Sequence, residues 1–122
     1  MKVWRWTLLA LLVVHPRVSL AQEDLGSGNF YLPGCKAFVE SRLLDGPISS
    51  QSGVCFGAVY ELQSSMEGYH SLCMPNGATM NQIVSVVVNY LDDHPTNLNQ
   101  GFAILASSAL HDAWLCHVGK SP

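Results

Sequence analysis

Basic residues are scarce in this 122-residue chain, where six Lys and Arg stand against nine Asp and Glu for a net charge of −3 with His neutral. Nucleic acid and anionic membrane surfaces are held by clustered Lys and Arg, so neither is an expected partner. An apolar run able to cross a bilayer, about 20 residues, is also missing, so no membrane anchor is expected. Cysteines occur, but never as C-x-x-C: the gaps of 20, 18 and 43 residues between Cys35, Cys55, Cys73 and Cys116 fit no common zinc finger. No phosphate-binding glycine loop, metalloprotease motif or G-x-S-x-G elbow is present. His70, His111 and His117 have no nucleophile or carboxylate at a telling spacing. The adjacent side chains of Cys116 and His117 diverge on a helix, so they make no catalytic pair. These absences predict a protein without a cofactor, a metal or an enzymatic activity.

What the chain does have begins with an export signal. Lys2 and Arg5 precede a nine-residue apolar run, Trp6 to Val14, and Ser19-Leu20-Ala21 resembles a small-residue cleavage site. Residues 1–21 therefore read as a signal peptide cut after Ala21, leaving one mature domain over 22–122. Only Lys36, Arg42 and Lys120 remain basic in that part, against nine acids, a net charge of about −6 that suits a basic protein partner. All four cysteines lie in the mature part, and an even count in a small exported chain predicts two disulfides with three possible pairings.

The stretch Cys73–Pro95, CMPNGATMNQIVSVVVNYLDDHP, carries the firmest helix signals. Thr79 and Gln82 fit a capping box, Ile83, Val84, Val87, Tyr90 and Leu91 recur at helical spacing, and Pro95 stops the helix near Asp93. The β-branched run between 83 and 88 also suits a buried strand, but a strand would leave the capping box unexplained. Three further helices follow from spacing and punctuation. Pro33 in a first turn opens one over 33–44, with Cys35, Phe38, Val39 and Leu43 inward and Lys36, Glu40 and Arg42 outward, and Asp45-Gly46-Pro47 ends it. Ser52 as N-cap starts the second, over 53–65, with Cys55, Ala58, Val59 and Leu62 on one face; Gly57 inside it points to a close helix crossing. The last spans 98–115, its stripe formed by Leu98, Phe102, Leu105, Ala109 and Ala113 and widened by Ile104, Ala106, Leu110 and Trp114. Gly101 is a weak point inside it.

The expected fold is thus all-α, a bundle of about four helices whose last two form an antiparallel hairpin across the short DHPTN link. Such a hairpin brings Cys73 and Cys116 side by side at its open end, which pairs Cys73 with Cys116 and leaves Cys35 with Cys55. Exposed parts of the wide stripes, Val86, Val88, Ile104 and Trp114, leave room for a homodimer. Asp92-Asp93-His94 is the one compact cluster of possible metal ligands, but adjacent helix positions splay apart. Negative charge at a helix C-terminus opposes the macrodipole, and a basic residue on a partner would relieve it. The loop 92–99, with Asp92, Asp93, His94, Asn97 and Asn99, is therefore the candidate partner-binding surface.

The motif from Cys73 to Pro95 resembles the centre of the Tai family, immunity proteins that neutralise type VI secretion amidases. Cys73, Pro75, Gly77, Thr79, Gln82, Val86, Val87, Tyr90, Leu91, His94 and Pro95 stand at the matching positions. The likeness continues into ALHDAWLC at 109–116, GNFYLPGCKAF and, more weakly, CFGAVYEL, and so covers most of the mature chain. It departs in the second helix, where the family usually has Tyr at the position of Ala58 and Gly at that of Glu61. A family Pro before the last cysteine is Leu115 here, so the final helix is free to continue to Cys116. The resemblance implies a periplasmic protein that binds a cell-wall amidase effector and blocks its active-site cleft. The residues themselves suit equally a non-enzymatic periplasmic scaffold or binding module without an immunity role.

Overall fold

The central helix forms as its cap predicts. In the computed structural model, which describes residues 25–43 and 49–117, Thr79 Oγ1 accepts from the Gln82 N–H at 3.3 Å while the Thr79 N–H donates to Gln82 Oε1 at 2.9 Å. The expected signal peptide and cleavage site, the expected Asp45-Gly46-Pro47 stop and the faces assigned to Arg42 and Leu43 lie outside the described residues. The helices are α1 (Gly28–Leu43), α2 (Ser50–Gly68), α3 (Met80–Asp93) and α4 (Phe102–Trp114), with a 3₁₀ turn at Pro95–Asn97. Among the described residues there is no strand, and two isolated bridges, Ser27 with Gly101 and Leu72 with Leu115, are the β pairing seen. The valine run is helical: Ile83, Val84, Val87, Val88 and Leu91 are buried along α3.

Helix α1 begins at Gly28, five positions before the expected start at Pro33, which lies within the helix. Its first turn is capped from outside. The Ser27 hydroxyl accepts from the Phe30 N–H at 3.3 Å, and the N–H groups of Gly28 and Asn29 donate to Gln100 O and Leu98 O at 3.0 and 2.9 Å. Donors that would otherwise be orphaned thus find partners about 70 residues along the chain, out of reach of a local reading. Helix α2 starts at Ser50 because Ser49, not Ser52, is the cap: its hydroxyl accepts from the Ser52 N–H at 3.2 Å and pairs with the Ser52 hydroxyl at 2.8 Å. The buried Ser52 is satisfied by that same contact.

Helices α1 and α2 cross at Gly34, not at Gly57. A Cβ on Gly34 would come within 2.5 Å of the Gln51 carbonyl oxygen, whereas one on Gly57 meets nothing within 4 Å. Only glycine lets the two backbones approach so closely. One residue on, the Cys35–Cys55 disulfide joins the helices with a Cα separation of 5.2 Å. Because α1 starts early, Cys35 sits mid-helix, where it faces Cys55 in the first half of α2.

The same backbone exchange shortens α4. Leu98 O and Gln100 O accept from α1, the Phe102 N–H donates to Gly26 O at 2.7 Å, and Gly101 becomes the N-cap position. Helix α4 therefore opens at Phe102 and not at Leu98. It also stops at Trp114 and does not reach Cys116: Leu115 turns extended to bridge Leu72, and the Cys73 N–H donates to Trp114 O at 2.8 Å. The Cys73–Cys116 disulfide closes this end, so α3 and α4 form the expected antiparallel hairpin. Phe102, Leu105, Ala106, Ala109 and Leu110 carry the buried stripe, while Ala113 and Ile104 are exposed.

The core fills the space between all four helices, with Phe38, Val59, Val84, Val87, Leu91 and Leu110 fully buried. Tyr31 stacks on Phe102 at 4.1 Å between ring centroids and ties α1 to α4. Of the four positions expected to leave room for a dimer, Val88 is buried, Val86 and Trp114 are half-buried, and Ile104 is exposed. Among the described residues no helix is long and apolar enough to cross a membrane.

Candidate partner-binding surface

The loop from Asp92 to Gln100 is a built structure. His94 turns the chain at the end of α3, with its Nδ1 2.7 Å from Tyr90 O and its ring stacked on Tyr90 at 4.1 Å. The Asn97 N–H donates to His94 O at 3.0 Å, and Asn97 O accepts from the Gln100 N–H at 2.9 Å. With the two bonds from α1, the loop backbone is pinned along its length and presents a fixed shape. Asp92, Asp93 and Asn99 are exposed, and His94 and Asn97 are half-buried. Asp92 Oδ1 lies 2.8 Å from Lys36 Nζ on α1. The acidic end of α3 is thus relieved in part within the chain, where the sequence suggested a partner's cation.

Beside this loop lies an apolar face that spacing alone did not reveal. Gly28 and Asn29 tie the start of α1 to the end of the loop, and Phe30, the next residue along, is exposed. Two adjoining depressions share Tyr31. One is lined by Phe30, Tyr31, Ser50, Gln51 and Val54, the other by Gly26, Tyr31, Ala58, Leu62, Phe102 and Ala103. The α2 members 51, 54, 58 and 62 recur at spacings of three and four, a stripe offset from the buried Cys55 and Val59. Spacing places Ala58 and Leu62 on one face with Cys55 and Val59, but cannot show the half of the depression that comes from α1 and α4.

Among the described residues no three His, Cys, Asp or Glu side chains are grouped to hold a metal ion, and all four cysteines are in disulfides. His70, His111 and His117 are exposed and lie at separate places in the chain. A fixed polar loop next to an apolar face is the usual anatomy of a protein–protein interface, with its apolar centre and polar rim.

Residues 27–116 match the family described as Rap1a immunity proteins. The chain belongs to that family. No curated protein and no solved structure matches it. Rap1a immunity proteins are a type VI secretion immunity family, so the chain's class of role is to bind a secreted effector. In this Rap1a protein the matched span runs from the Ser27 cap of α1 to the last cysteine, and takes in the whole loop and the α2 stripe. Ala58, the small residue in place of the Tyr expected from the Tai resemblance, lines the second depression, and Glu61 is exposed one helical step away.

Proposed function

We propose that this protein is a periplasmic immunity protein that binds and inhibits a cell-wall amidase delivered by type VI secretion. The single observation that carries the reading is the family match over residues 27–116, which supplies the class of partner. The amidase is the partner that the central motif's resemblance implies. Asp92, Asp93, His94, Asn97 and Asn99 form the polar contact, and Phe30, Tyr31 and Val54 supply the apolar centre beside it. Complementary charge would steer the encounter, and burial of the aromatic face would hold the complex. Export places the protein where such an effector acts. Residues 1–21 direct it there and are removed.

Co-expression with an exported amidase encoded beside it, followed by affinity capture and a peptidoglycan-digestion assay, tests the reading. Capture with loss of digestion is the expected result. Capture of nothing, with digestion unchanged, would leave a helical scaffold module as the better account. Mass spectrometry of the exported protein should find Gln22 as the first residue, and an intact Met1 form in membranes would remove the signal peptide from this account.

A further inference from the structure

The two disulfides occupy opposite environments. Cys35 and Cys55 are both 0% exposed, packed among Phe38, Val59 and the rest of the core where α1 and α2 touch. Cys73 and Cys116 are half-buried and lie outside the helices, one in the link before α3 and one past the end of α4. Their neighbours Leu115 and His117 are exposed. A thiolate must reach a sulfur to open a disulfide, so access governs which bond exchanges.

We propose that Cys73–Cys116 is an exchangeable clasp, opened by an external dithiol while the protein stays folded, and that Cys35–Cys55 is sealed until the core unfolds. In the step, a thiolate of the dithiol attacks one sulfur of the clasp. The Cys73–Cys116 bond breaks, one sulfur joins the reagent as a mixed disulfide and the other leaves as a thiolate. The second thiol of the dithiol then attacks the mixed disulfide. The protein is left with two thiols and the reagent is oxidised by two electrons.

Local structure makes the opening confined. Leu72 is buried and bridges Leu115, and the Cys73 N–H bonds to Trp114 O, so the two ends stay next to each other when the covalent link is gone. Reclosure then needs only an acceptor for two electrons. No core helix has to move, because α4 ends at Trp114 and α3 starts at Met80. The clasp sits at the end of the hairpin away from the 92–99 loop, so its state changes the anchoring of Leu115 and Cys116 and leaves the loop's own contacts in place. At Cys35–Cys55, by contrast, the backbone contact between Gly34 and Gln51 closes off approach, and a thiolate can enter only when α1 and α2 separate.

The test uses the purified oxidised protein with dithiothreitol as the dithiol, in urea concentrations below the unfolding transition. Aliquots are quenched with iodoacetamide and mapped by peptide mass spectrometry. Cys73 and Cys116 should be labelled at least about 100-fold faster than Cys35 and Cys55, at a rate indifferent to urea, while the slow pair accelerates with urea as global unfolding does. Circular dichroism of the protein labelled at Cys73 and Cys116 should keep its helical signal. Labelling of all four cysteines in step, labelling of Cys35 and Cys55 first, or opening of Cys73–Cys116 with the urea dependence of global unfolding would each overturn the proposal.

Discussion

Two glycines in adjacent helices show how little a residue's type says without its surroundings. Gly34 is pressed against the Gln51 backbone, while Gly57 faces open space on the exposed side of α2. The same substitution should therefore act in opposite directions at the two sites. Gly57→Ala removes a flexible residue from a helix interior and should stabilise by about 0.5–1 kcal/mol. Gly34→Ala places a methyl group against a carbonyl oxygen that cannot swing aside, and an overpacking cost of about 1–3 kcal/mol is expected. Urea melts of the two variants against the parent check both signs. Stabilisation by Gly34→Ala would mean that the α1–α2 crossing is not as close as described. Sequence reading placed the crossing at the wrong one of these glycines, because both sit in helices near a cysteine and only the contact tells them apart.

Among the elements, α3 was the most legible, since its start, stripe and stop are all encoded within the 17 residues from Thr79 to Pro95. Thr79→Ala removes the hydroxyl acceptor from the capping box and should cost about 1 kcal/mol. In a domain of this size that lowers Tm by roughly 4–8 °C in a thermal melt followed by circular dichroism. An unchanged Tm would mean that packing of Ile83, Val84 and Val87 alone fixes the start of α3. The boundaries of α1 and α4 were less legible for a shared reason: each is capped by the other. Ser27 and Gly101 bridge, Gly26 O takes the Phe102 N–H, and the loop carbonyls take the first donors of α1. Pro33 and the Leu98 stripe gave local signals that this long-range exchange overrode. The hairpin and both disulfides were legible because they depend on chain order and link length and not on helix ends. Of the candidate site, the loop at 92–99 could be located from its charges and proline, whereas the aromatic face beside it arises only when α1, α2 and α4 come together.

At the scale of the whole molecule, an acidic chain with a fixed loop and an uncharged aromatic face is suited to fast capture of a basic partner. Reversing the loop's charge with Asp92→Lys and Asp93→Lys should slow association at low salt, with a smaller effect at high salt, and should leave dissociation little changed. Loss of the Lys36–Asp92 pair adds little to the stability change, because both side chains are nearly half exposed, at 44% and 45%, and such pairs contribute about 0–1 kcal/mol. Surface plasmon resonance across a salt series separates the two rates. Association rates that ignore the reversal would remove this loop from the interface.

Inhibition of a cell-wall amidase is tested most directly by peptidoglycan hydrolysis with any exported amidase found encoded beside this protein, the purified protein being titrated in. Hydrolysis should fall to background as the protein reaches stoichiometric amounts. Full hydrolysis at a large excess of correctly oxidised protein would contradict the account.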